Sequence, residues 1–456
     1  MDIKYTEMRL EDCMDAIIDY RGKTPRKVDS GVPLITAKII KNGRIQEVTE
    51  FINEKDYDIW MTRGLPLTGD IVLTTEAPLG EVAQLDERKV ALAQRIITLR
   101  GKKGLLDNDY LLYLLQSSFI QNQLDERASG STVTGIKQSQ LREIILKFPS
   151  IKIQKYLSSQ LKSIDKKIFI NSQINQTLEQ ISQTLFKSWF VDYDPVIDNA
   201  LDAGNPIPDN LQKRADLRQK VRNNPEFKPL SNEIRSLFPA EFEETELGWV
   251  PKGWEYLPVS KAIEINPSVK LSKGQNAKYI DMKALPTNGY SISDIITKPF
   301  SGGTKFQKND VLFARITPCL ENGKTGFVDF LNKDEIGFGS TEFIVMRATD
   351  KVHFGYVACL ARDEKLRSHA IQNMVGSSGR QRVQNSCFDN YYVVVPDTNI
   401  MSIFAIQIEI LFSKMRCNNN ELSSLTQLRD TLLPKLISSE LSLEDLPETT
   451  TEIEYA

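Results

Sequence analysis

A chain of 456 residues suffices for roughly two to four domains with substantial cores, and 26 % charged and 41 % hydrophobic residues describe an ordinary water-soluble protein. It has no run of 18 apolar residues and no signal-peptide-like opening, so a cytoplasmic protein without a membrane segment is expected. The net charge of −3 counts mildly against nucleic acid, while five scattered cysteines without a CxxC pair and only two histidines (His353, His369) argue against a zinc site, a disulfide frame or histidine-based chemistry.

Residues 1–149 read as a mixed globular unit of short strands separated by Gly and Pro turns, among them Val32–Ile39, Asp70–Thr75, Val82–Gln84 and Ile96–Leu99. A helix is expected from Asp109 to Asp125, followed by a Gly-rich loop at Gly130–Gly135. Charge is uneven here: between Tyr20 and Ile45 seven basic residues stand against Asp29 alone, which favours phosphate locally.

Residues 150–191 hold the strongest signal. From about Ile153 to Phe190, Leu157, Leu161, Ile164, Ile168, Asn171, Asn175 and Leu178 alternate steps of four and three, the heptad period of a helix packed along another helix. Such a helix is about 57 Å long at about 1.5 Å per residue. Residues 192–250 are punctuated by prolines and read as a linker with one short helix at Leu211–Arg222.

Residues 251–396 replay the first unit. Asn309-Asp310-Val311-Leu312 echoes Gly69-Asp70-Ile71-Val72, Phe354–Met374 echoes the earlier helix, and Gly376–Gly379 echoes the loop at Gly130. Residues 397–440 then repeat the heptad stripe at a constant offset of 247: Phe404, Ile408, Leu411, Met415, Asn418, Leu422 and Leu425. Asn171 falls on Asn418, and the two are expected to meet if the helices pair antiparallel. Pro434 should kink or stop the second helix, and residues 441–456 form an acidic, Thr-rich tail. The fold class is therefore α+β: two globular units and two long helices in one internal repeat.

In this order, several short motifs resemble the specificity subunits of type I restriction-modification systems. They are Asp19-Tyr20-Arg21-Gly22-Lys23-Thr24-Pro25, Leu73-Thr74-Thr75-Glu76-Ala77-Pro78-Leu79-Gly80 and Phe186-Lys187-Ser188-Trp189-Phe190-Val191-Asp192. Glu246-Leu247-Gly248-Trp249-Val250-Pro251, Gly253-Trp254 and Ala314-Arg315-Ile316-Thr317-Pro318-Cys319-Leu320-Glu321-Asn322-Gly323-Lys324 continue the series. Gly339-Ser340-Thr341-Glu342-Phe343 and Leu432-Leu433-Pro434-Lys435-Leu436-Ile437-Ser438 complete it, so the resemblance covers nearly the whole chain.

The resemblance implies two target recognition domains, each reading half of a split site in double-stranded DNA. It also implies an antiparallel coiled coil that sets the unread gap and docks two methyltransferase subunits, with motor-nuclease subunits joining. No chemistry and no cofactor are expected of the chain itself; S-adenosylmethionine, ATP and Mg²⁺ belong to its partners. Base reading needs bidentate donors, and Lys, Ser and Thr hold phosphates. The candidates are Arg21, Lys23, Thr24, Arg26, Lys38, Thr134 and Lys137 in the first unit, and Arg315, Thr317, Lys324, Ser340, Thr341, Arg380 and Arg382 in the second.

Two other readings compete. Asp209, Glu226 and Lys228 fit the loose spacing of a metal-dependent nuclease, although they fall in the Pro-rich stretch. A coiled-coil scaffold that binds only protein would show no salt-dependent DNA affinity. Neither a phosphate-binding GxxxxGK[ST] loop nor the Asn-Pro-Pro-Tyr/Phe site of an amino-methyltransferase occurs.

Overall fold

The structure, a computed structural model, describes residues 4–20, 24–130, 133–377 and 379–438. Arg21, Lys23 and the acidic tail 441–456 lie outside the described residues. By compactness the chain divides into residues 1–170 with 422–456, and residues 171–421, so the division cuts through both long helices.

In the first unit, four antiparallel strands lie in the order Met14–Asp19, Ile96–Gly101, Ile71–Thr75, Leu79–Gln84. All five residues of Ile71–Thr75 are buried, because both faces of the sheet are covered. Alternate side chains serve different cores: Ile71, Leu73, Ile97 and Leu99 pack with the helical side, whereas Val72, Ala83 and Ile96 pack with the second sheet. That second sheet has the order Ala91–Leu92, Val32–Ile35, Phe51–Ile52, Lys27–Val28, with its first two strands parallel. Thr6–Arg9 pairs with Ile145–Phe148 and brings the two ends of the unit together.

The expected helix at 109–125 is two helices, Asn108–Gln116 and Ser118–Arg127. Ser117 separates them, its hydroxyl accepting from the Ile120 amide, so a residue that reads as part of one helix instead caps another. The first part of the long helix Ile151–Phe190 places Leu157 and Leu161 in the helical-side core, and Leu432 packs against the same core.

The second unit repeats this plan. Its main sheet runs Glu264–Ile265, Phe343–Arg347, Val311–Ala314, Thr325–Phe327, matching the first unit strand for strand. Val311, Phe313, Ile344 and Met346 face one core; Leu312, Phe343 and Val345 face another. The second sheet again holds one parallel pair, Asn276–Ile280 with Ile336–Gly339, and Glu255–Pro258 pairs with Tyr392–Val395. The helices Phe354–Ala361 and Glu364–Gln372 are capped by His353 and Asp363, just as Asp107 and Ser117 cap their counterparts.

A buried ion pair is duplicated too. Asp70 accepts from Arg100 at 2.8 Å through both oxygens and from the Leu67 amide. Asp310 accepts from Arg347 at 2.7 Å through both oxygens and from the Gln307 amide. Burial lifts the Asp310 carboxyl above its ordinary value, and the Arg347 hydrogen bonds act against that.

Within the second unit, residues 171–190 run antiparallel to the opening of the helix Thr398–Ser438. Phe190 meets Phe404 with ring centroids 4.8 Å apart, and Asn171 donates to Glu421. The expected meeting of Asn171 with Asn418 is corrected: Asn418 donates to Asn175 at 2.8 Å, and Asn175 donates to Asn419 at 2.7 Å. Facing residues have numbers that add to 592–594, whereas Asn171 opposite Asn418 needs 589, about one helical turn away. Of the other stripe residues, Phe404, Ile408 and Met415 are buried, and Ile164, Ile168, Leu178, Leu411 and Leu425 are half-buried.

Two further expectations are corrected. Pro434 does not stop the second helix, which continues to Ser438. The missing N–H removes one bond in its closing turns, too near the end to terminate the helix at that residue. The stretch 192–250 is folded rather than a linker with one helix. Pro195 stands in the first turn of the helix Asp194–Ala203, where an N–H has no partner in any case. That helix pairs with Asp209–Arg222 through a ladder in which Asp194, Asp198 and Asp202 meet Arg214, Arg218 and Arg222 in turn, each series stepping by four. Tyr193, Val196, Phe238 and Val250 join the same core as Phe186, Trp189 and Phe190.

Candidate nucleic-acid interface

In each unit a Gly-rich loop is stitched to the turn that follows the central strand. In the first, Ser129 and Gly135 exchange backbone hydrogen bonds, and the Ile136 amide donates to the Thr75 carbonyl. Gly130 has φ +126°, and a Cβ there would collide with the Val133 carbonyl oxygen, so the hairpin closes only around glycine. In the second, the Thr317 amide donates to Gln381, the Val383 amide donates to Arg315, and the Gln381 amide donates to the Thr317 hydroxyl. Both following turns contain a cis proline, Pro78 and Pro318.

The first loop walls a concavity of about 340 Å³ lined by Thr75, Glu76, Gln94, Arg95, Ser129, Gly135, Ile136 and Lys137. Gln94 donates to the Thr24 hydroxyl at 3.0 Å, which adds Thr24 to this rim. Of the candidates in this unit, Thr24 and Lys137 are therefore brought together, whereas Thr134 precedes Gly135 in the loop without lining the concavity; all three are exposed. Arg26 and Lys38 are also exposed but do not line the concavity; Lys38 sits on the 3-10 turn Ala37–Ile39.

In the second unit Arg315, Thr317, Ser340, Thr341 and Arg382 converge on the corresponding edge. Arg382 grips both oxygens of Glu342 at 2.6–2.9 Å, which holds that carboxyl below its ordinary value. Several candidates also fasten the local backbone. Arg315 donates to the Val383 carbonyl, Lys324 donates to the Met282 carbonyl, and the Ser340 hydroxyl accepts from the Glu342 amide. Thr341 and Arg380 are exposed.

Sequence reasoning missed Glu76, Gln94, Arg95 and Glu342. Arg95 lies 2.8 Å from Glu76, and its φ of +75° is unusual for a residue with a side chain. No spacing rule could have found it, because its neighbours come from four separate parts of the first 137 residues. The nuclease-like trio gains no geometry. Asp209 opens a helix, Glu226 and Lys228 follow that helix outside any strand, and all three are exposed. Among the described residues no group of three or more His, Cys, Asp or Glu side chains could hold a metal, and no helix is long and apolar enough to cross a membrane.

Residues 3–180 match the family described as type I restriction modification DNA specificity domain. Similarity to known proteins continues beyond that segment. The MjaIX specificity subunit of a type I restriction enzyme from Methanocaldococcus jannaschii is 24 % identical over 91 % of this chain and 88 % of its own length. The HindI specificity subunit of Haemophilus influenzae is 26 % identical over 77 % of this chain and 81 % of its own. A crystal structure of a type I S subunit from M. genitalium matches 95 % of this chain and 96 % of its own with a TM-score of 0.53 at 16 % identity, a likeness of fold.

Proposed function

We propose that the chain is a member of the family of type I restriction-modification specificity subunits, the DNA-reading, non-catalytic subunit of a methyltransferase and endonuclease complex. Each globular unit reads one half of a split sequence in double-stranded DNA. The long helices set the unread gap and dock two methyltransferase subunits, and motor-nuclease subunits join them. S-adenosylmethionine, ATP and Mg²⁺ are held by those partners, and the complex works in the cytoplasm.

The observation that carries this reading is the duplication itself: one chain holds the same sheet order, the same buried Asp–Arg pair and the same loop-to-turn stitching twice, with a different set of exposed polar side chains at each copy. Two related surfaces with unlike chemistry suit the recognition of two unlike half-sites. A nuclease would need its carboxylates assembled, and a protein-only scaffold would have no use for two diverged polar edges.

The test is to co-express the chain with its methyltransferase subunit, incubate the complex with genomic DNA and S-adenosylmethionine, and map modified adenines by long-read sequencing. A split motif with a fixed gap is the expected result. A stable complex that methylates a continuous motif, or a chain that binds neither DNA nor the methyltransferase, contradicts it.

A further inference from the structure

Each unit carries one exposed arginine braced by a carboxylate at its loop-to-turn edge, but the two arginines are mounted on opposite elements. In the first unit Arg95 stands on the turn that leads into the strand Ile96–Gly101, and Glu76, on the turn after the central strand, faces its Nε at 2.8 Å. In the second unit the equivalent of that entry turn carries the carboxylate, Glu342, just before Phe343. The arginine is Arg382, on the short strand Arg382–Val383 that follows the Gly-rich loop, engaged through Nε at 2.9 Å and also through Nη2 at 2.6 Å. Arg95 is 53 % exposed and Arg382 41 %, each more than its brace, at 39 % and 23 %. The contrast with the buried Asp70–Arg100 and Asp310–Arg347 pairs is direct, because those keep the same polarity on the same strands in both units.

We propose that Arg95 and Arg382 are the base-reading arginines of the two units, each selecting a guanine in its half-site, with Glu76 and Glu342 as positioning residues. The proposal rests on the DNA-reading function above. A guanidinium braced from its Nε side is fixed in plane and keeps Nη donors for the O6 and N7 acceptors of guanine, the commonest specific contact in the major groove; in Arg382, where Nη2 also donates to Glu342, these are the Nη1 donors and the second N–H of Nη2. Arg95 also occupies a left-handed backbone conformation that suits glycine or asparagine better, and such positions persist where a side chain's placement matters. The exchange of mounts turns the two arginines out from different elements of one fold, so the guanines they select fall at different positions within their half-sites.

The experiment uses the full chain with its methyltransferase partner and compares methylation motifs of the native protein, Arg95→Lys, Arg382→Lys and Glu76→Gln. Lysine keeps the charge and the attraction to the carboxylate but loses the planar fork. For Arg95→Lys, one guanine position in one half-site should lose about 10-fold or more of its discrimination, with the other half-site and the gap unchanged. Arg382→Lys should relax one guanine in the opposite half-site. Glu76→Gln should relax the same position as Arg95→Lys but more weakly, whereas a purely structural brace would lower methylation of all sites evenly. A split motif that survives both lysine variants overturns the proposal alone. So does an even loss of methylation with the motif intact, which marks phosphate contacts. Absence of any split motif in the native complex overturns the underlying reading with it.

Discussion

The two globular units were built from one plan and then treated differently at different depths. Inside, they agree: the same strand order, the same alternation of side chains between two cores, and the same Asp–Arg pair at the start and edge of the central strands. At the loop-bearing edge they part, where Glu76 braces Arg95 in one and Glu342 braces Arg382 in the other. A scaffold that repeats its buried charges and inverts its exposed ones separates folding from reading. The interior is held by packing and desolvation, which tolerate little change, and the edge is free to vary because solvated charges contribute little to stability.

That contrast can be broken most strongly at the shared pair. Asp70→Ala and Asp310→Ala each strand a mostly buried arginine and a turn amide, so each is expected to destabilise its unit by about 3 kcal/mol, read by urea unfolding. Similar losses support a common scaffold; a loss in one unit only separates them.

Arg362 offers the next largest effect and belongs to one unit alone. Its guanidinium donates to the carbonyls of Pro286, Thr287, Gly289, Gly323 and Thr325, and burial pushes it down to about 10. At the corresponding position of the first unit stands Gln116, whose amide donates to Leu112. Arg362→Met should cost about 2 kcal/mol, because the carbonyls it serves lose their donor, and Gln116→Met well under half of that. Equal costs would mean that Arg362 has no special part in fastening the 286–289 loop.

The paired asparagines should have a smaller effect on stability and a clear one on register. Replacing Asn175 and Asn418 together by leucine is expected to raise the unfolding midpoint slightly and to broaden the distribution of gap lengths in the methylation motif. A narrower or unchanged gap with lower stability would contradict a register role.

The smallest effect is electrostatic. The folded Glu342 carboxyl lies below its unfolded value because of Arg382, so the pair contributes above the unfolded carboxylate range and is lost as pH falls through the lowered folded value. The native protein should therefore melt slightly above Glu342→Gln at neutral pH, and the two curves should converge in acid. A difference that widened on acidification would reverse the sign.

Much of this plan was legible in the sequence. The helices could be read because a heptad stripe is a local, periodic property, and its recurrence at offset 247 announced the repeat. The strands were legible where an apolar run was bounded by turns. Register was not, because antiparallel pairing depends on where two distant segments meet, which no offset between like residues can tell; Asn175, not Asn171, faces Asn418. The prolines of 192–250 misled for a related reason, since a proline at a helix start and one that breaks a helix differ only in context. At the candidate site, Thr24 and Lys137 could be proposed from the basic and Gly-rich stretches that hold them. Arg95 needed the fold, because its partner on one side and its rim neighbours on the other come from distant parts of the chain.

Two independent readers on one chain can be tested most directly by exchanging one of them. Residues 1–148 are replaced with the corresponding unit of a related specificity subunit, the complex with the methyltransferase is formed, and methylated adenines are mapped genome-wide. The predicted motif has one half-site exchanged, and the other half-site and the gap retained. Retention of both half-sites, or the exchange of both, would contradict independent reading.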